Sequence, residues 1–142
     1  MKRLRAMAVL AASAAALASG AGAWALIGGG TPPATFRVQL DGEAVVTATG
    51  YELDAALAAG DKREYTLRLS LRLTDNAAPA QAFQTGQTFA SAAVELVASD
   101  QTVMKTYSLV NATVIGYRQR GDAGTNTFEQ QLVLRSRSLA IG

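Results

Sequence analysis

The chain has 142 residues, with 13 basic and 11 acidic side chains, an apolar share of 49%, and neither histidine nor cysteine. That composition excludes a disulfide scaffold, thiolate metal sites, Ser-His-Asp and Cys-His catalysis and the usual zinc centres. The length suits a single core, either as one domain or as one domain plus a processed segment.

Lys2, Arg3 and Arg5 open the chain, and no charged residue follows from Ala6 until Arg37. The apolar run "AMAVLAASAAALA" leads to Ala21-Gly22-Ala23 and Ala23-Trp24-Ala25, both of which fit a small-residue cleavage pattern. This is the layout of a secretory signal peptide over residues 1–25, with export to the periplasm or beyond as the expectation. The alternative is a retained membrane anchor, but alanine, glycine and serine dominate the run and contribute little to transfer into lipid. Three of the 13 basic residues lie in the first five positions, so removal of the leader leaves ten against 11 acidic, a net charge of −1. Bulk charge therefore gives no reason to expect a nucleic-acid partner, and no membrane contact is expected once the leader is gone.

Residues 26–34 carry "GGGTPPA" and read as a Gly/Pro linker, so the folded domain spans 35–142. "TFRVQL" alternates apolar and polar residues, the period of a half-buried strand. Asp41-Gly42 then supplies the positive backbone angles of a tight hairpin, and "EAVVTAT" is the expected return strand. "YELDAALAAGD" suits either a short helix ended by Gly60 or an irregular arm. "REYTLRLSLRL" places Tyr65, Leu67, Leu69, Leu71 and Leu73 on one face. Strict alternation would scatter these leucines around a helix, so the period outweighs leucine's helix propensity. A short helix is expected over 77–84, with Pro79 in its first turn. "AAVELVA" and "VMKTYSLVNATVIGYRQR" form a hairpin around "SDQT", and "GDAGTN" links the latter to "TFEQQLVLRSRSLAI". Many short strands with one helix indicate a mainly β fold: a small antiparallel β-barrel or sandwich with one short flanking α-helix, preceded by the signal segment.

The stretch "VELVASDQTVMKTYSLVNATVIGYRQ", the closing "GDAGTNTFEQQLVLRS" and the opening "FRVQLDGEAV" resemble the contractile phage tail-tube proteins and, more distantly, the haemolysin-coregulated tube protein of type VI secretion. The similarity covers roughly residues 35 to 140. It implies a β-barrel with one flanking helix whose copies form rings, commonly hexamers, that stack into a hollow tube, with a sheath-like or envelope protein as a further partner. Under the resemblance Asp41 and Gly42 in the first turn, Asn111 and Ala112 at a strand bend and Glu129 after the loop organise the barrel and its edges. No catalysis and no cofactor are implied. The alternative function is a monomeric exported β-module that binds a protein, a glycan or a surface.

Asp41 with Glu43, and Glu52 with Asp54, are carboxylate pairs at strand spacing, a pattern that serves hard cations or acid-base chemistry but more commonly a solvated surface. "GDAGTN" has the composition of a calcium loop without the later bidentate acid, and reads as a turn. Asn111-Ala112-Thr113 fits the glycosylation acceptor pattern at the strand bend. Arg118 with Arg120, and Arg135 with Arg137, repeat at strand spacing. With Arg68 and Arg72 they form a candidate positive stripe for an anionic partner or for a neighbouring copy, the plainer reading being charged faces that discourage edge pairing.

Overall fold

In the computed structural model, residues 29–142 are described. The expected signal segment, residues 1–25, and the start of the linker lie outside them. Eight strands and one helix follow in the order β1 (Thr35–Leu40), β2 (Glu43–Ala44), β3 (Ala48–Leu57), β4 (Arg63–Arg72), α1 (Ala78–Gln84), β5 (Thr88–Val97), β6 (Val103–Asp122), β7 (Thr127–Ser136) and β8 (Ser138–Ile141). All pairings are antiparallel. The sheet order is β2-β1-β5-β6-β7-β4-β3, with β8 added against β6.

The alternating strand sets the core. Tyr65, Leu67, Leu69 and Leu71 of β4 are all buried, and the register carries their face across the sheet to Leu132 and Leu134 of β7 and to Leu53 of β3. Val38, Val94, Leu109 and Val114 complete the same interior from the other strands. Burying one such leucine or valine contributes about 1.5–3 kcal/mol, which is how a domain without staples holds together.

Three local features differ from the sequence expectation. "YELDAAL" is neither helix nor irregular arm but strand β3, paired with β4 from Ala48 to Leu57. Alanine and leucine favour helix, yet the neighbouring leucine-rich strand offers a ladder and a buried face, and Ala55 is packed into it at 2% exposure. A single 3-10 turn, Ala59–Asp61, then reverses the chain, with Gly60 at φ 76°. "EAVVTAT" returns as a strand only over Glu43–Ala44. After that, Val45 N–H donates to the Val38 carbonyl and Arg72 N–H to the Thr47 carbonyl, at 2.9 Å each, so residues 45–47 cross from the β1 side to the β4 side.

The third difference is closure. The expected barrel curls, but no backbone ladder joins β1 to β3 among the described residues. Side chains bridge the seam instead: the rings of Phe36 and Tyr51 meet edge to face, with centroids 5.0 Å apart. Helix α1 lies close to the expected bounds, with Pro79 in its first turn and the Asn76 Oδ1 accepting from Ala78 N–H at 3.0 Å.

Strands β1, β4 and β6 run one way and β3, β5 and β7 the other, which sorts the connections between two ends. One end carries the β1–β2 turn, the 45–47 crossover, α1 and the β6–β7 hairpin. The other carries the β3–β4 and β5–β6 turns and the end of β8.

Candidate assembly surfaces

Strand β6 is 20 residues long and has two sets of neighbours. Its first half lies between β5 and β8, whereas from Thr113 onward β7 pairs along one side. The change of partner coincides with a bend. Asn111 has φ 53°, a left-handed conformation that asparagine tolerates, and Ala112 is fully buried where a larger side chain would not fit. Opposite, buried Ser136 donates from Oγ to the Val110 carbonyl and accepts from Ser138 N–H at 3.0 Å, filling the break between β7 and β8.

Several backbone edges lack a strand among the described residues. The outer edge of β3 and that of β1 from Thr35 to Arg37 flank the open seam. A third is the distal half of β6 past Val114, whose N–H still donates to the Gln87 carbonyl at 2.9 Å before the edge runs free to Asp122. The arm is stiffened from inside: Tyr117 Oη donates to Gln130 Oε1 at 2.9 Å, Gln119 Nε2 donates to Tyr117 Oη at 2.8 Å, and Gln130 Nε2 donates to the Arg72 carbonyl at 3.2 Å. Sequence reading missed this network, although Tyr117, Gln119 and Gln130 are polar residues at core-side positions of their strands.

Each residue singled out from the sequence has a definite place. Asp41 and Gly42 form the β1–β2 turn with φ 51° and 80°. Asp41 Oδ1 also accepts from Ser91 N–H at 3.0 Å, tying the turn to β5. Glu52 and Asp54 share a face and both meet Arg68, at 3.5 and 2.9 Å, so this carboxylate pair is held by a guanidinium. Arg135 pairs with Glu64 and Arg120 with Glu129, each at 3.5 Å. Arg118 stands beside Gln131 and Arg72 beside Glu129 in the β-register, while Arg137 falls between β7 and β8. The arginines thus do not form one continuous stripe; Arg68 and Arg135 sit in ion pairs with β3 and β4 acids, and Arg72, Arg118 and Arg120 gather around the distal arm. In the "GDAGTN" loop, Asp122 Oδ1 accepts from Gly124 N–H at 2.9 Å, which is turn chemistry. No acidic cluster suited to a metal ion occurs among the described residues.

Apolar surface is concentrated at the ends. Val46 is 85% exposed on the crossover. It lines both a cavity of about 360 Å³, bounded also by Leu40, Leu71, Ala82, Phe89 and Leu132, and one of about 280 Å³ along the seam by Phe36, Val38 and Ala48. Phe83 and Phe128 are exposed at the same end, and Leu57, Val103 and Ile141 at the opposite one. Tyr51, at the seam, has its phenol pushed above the usual range by burial and by the neighbouring Tyr107. Among the described residues, no helix is long and apolar enough to cross a membrane.

No family model and no curated protein matches the chain. Solved structures do. Hcp1 from Flavobacterium johnsoniae superposes with a TM-score of 0.61 at 12% identity, covering 75% of this chain and 94% of that one. The tube-terminating cap of the anti-feeding prophage gives 0.62 at 16% identity, covering 80% and 92%. A chain of the PVC extracellular contractile injection system, from its sheath-tube complex in the extended state, gives 0.59 at 11% identity, covering 79% and 91%. The fold is that of the Hcp and tail-tube proteins.

Proposed function

We propose that this chain is a non-enzymatic structural subunit that is exported and assembles with copies of itself into rings, and that these stack into tubes. The observation that carries the reading is the unclosed sheet. A curled sheet with free backbone edges presents rows of unpaired N–H and C=O groups, which a neighbouring copy satisfies by continuing the ladder. The edges of β3 and β6 are unlike each other: β3 ends one side of the sheet, and the distal half of β6 runs on past its pairing with β5. Joining unlike edges head to tail is a heterologous contact, the kind that closes into a ring when the rotation permits.

The tube proteins whose fold the chain shares supply the second support, and their assemblies make a sheath-like partner part of the proposal. The exposed apolar residues at both ends suit stacking of one ring on the next. A stable contact between copies buries about 1,600 Å² in total.

Negative-stain electron microscopy and light scattering of the purified protein test the reading. Annular particles with a mass several times that of one chain are expected. A monodisperse monomer across the micromolar range overturns it and leaves a solitary exported β-module. Export is tested separately, by N-terminal sequencing of protein recovered outside the cytoplasm: a start near Trp24 or Leu26 is expected, and an intact Met1 refutes cleavage.

A further inference from the structure

The outer face of the distal half of β6, the strand whose edge the assembly reading uses, contains a small polar cleft. It has a volume of about 50 Å³ and is lined by Ser70, Arg118, Arg120, Glu129, Gln130 and Gln131. Ser70, Gln131 and Arg118 stand side by side on β4, β7 and β6, in one cross-strand row. The row begins at Gly50 on β3, which presents no side chain over Ser70. The next row is Arg72, Glu129 and Arg120. Among the described residues, the Ser70 hydroxyl and the Gln131 amide have no side-chain hydrogen-bond partner, and Arg118 has no carboxylate partner. Glu129 is engaged by Arg120 at 3.5 Å, so the two guanidiniums that line the cleft face one carboxylate that is already paired.

We infer that this cleft binds a phosphate group. A guanidinium presents a planar fork of donors matched to oxyanions, and a hydroxyl and an amide beside it add donors from other directions. Donors on three strands suit a tetrahedral group with three or four acceptor oxygens better than a two-oxygen carboxylate. The volume exceeds the roughly 10–15 Å³ that one water needs, yet admits only one small group. Glu129 weakens binding by its charge, while Arg120 limits that effect. The group is either free phosphate or a phosphomonoester on a larger molecule; both present the same oxygens to the cleft.

Calorimetric titration of the full protein at fixed ionic strength, with inorganic phosphate and separately with glycerol phosphate, tests the inference whether or not the protein assembles. Saturable binding is expected for at least one of them, and the tighter ligand identifies the source. Arg118→Gln, at an exposed position, weakens binding about tenfold, the loss of one charge-assisted contact. Glu129→Gln strengthens it, and Arg137→Gln leaves it unchanged. Absence of saturable binding of either ligand overturns the inference, as does binding by Arg118→Gln equal to that of the unaltered protein with circular dichroism unchanged.

Discussion

At the scale of single residues, the ion pairs and the seam tyrosine carry the sharpest expectations. Arg68 holds both Glu52 and Asp54, and Asp54 is 9% exposed. Arg68→Ala removes the guanidinium that both carboxylates meet, one of them buried. Because Arg68 itself is partly solvated, the cost is about 1–2 kcal/mol, below that of a fully buried pair, and a urea melt measures it as a lower midpoint at unchanged slope. Leu69 has no exposed surface. Leu69→Asp places an unpaired charge in the core, costs several kcal/mol and abolishes cooperative unfolding. The Tyr51 phenol is harder to ionise in the folded protein than in the unfolded chain, chiefly through burial and then through Tyr107. Between the unfolded value near 10 and the raised folded value, the unfolded chain therefore binds fewer protons than the folded one. Stability is intact below about pH 10 and falls as pH rises through that window. In Tyr51→Phe the alkaline decline is shallower, which thermal melts between pH 9 and 11 detect.

At the scale of elements, the bend of β6 is the feature on which the sheet depends. Ser136 bonds to the Val110 carbonyl and to Ser138, so Ser136→Ala strands buried polar groups and costs about 1–3 kcal/mol in the same melts. This region also shows what could be read beforehand. The alternation "REYTLRLSLRL" specified β4 and its buried face directly, since period two admits one solution. Asp41-Gly42 specified its turn because few dipeptides supply two positive φ angles. The strand β3 was hidden, because "YELDAALAAG" has a composition shared by helices and only the adjacent ladder of β4 decides between the two. The break between Ser136 and Ser138 was hidden as well, since it exists only where β7 and β8 meet the left-handed bend at Asn111. Spacing put arginines on common faces, but it did not reveal which had acids opposite: Glu64 reaches Arg135 across strands separated by more than 60 positions.

At the scale of the whole molecule, the unclosed sheet and the apolar ends lead to an expectation about assembly. Val46 is almost entirely solvent-exposed in the single chain, so Val46→Asp changes monomer stability by no more than about 0.5 kcal/mol. If copies cover that end, the same substitution shortens or abolishes stacks in electron micrographs while rings persist. Particles of unaltered length would place Val46 outside the contact. The twenty-residue strand has a further consequence, for the order in which the chain acquires its shape. β5 to β6 and β6 to β7 are joined by short turns, so this three-strand meander closes quickly from neighbouring sequence. β4 must then find β7 across the helix and two intervening strands, and β1 must find β5, both at the greater entropic cost of distant ends. The central strand thus acts as a seam allowance sewn first, and the slow steps in refolding belong to the flanks that join it last.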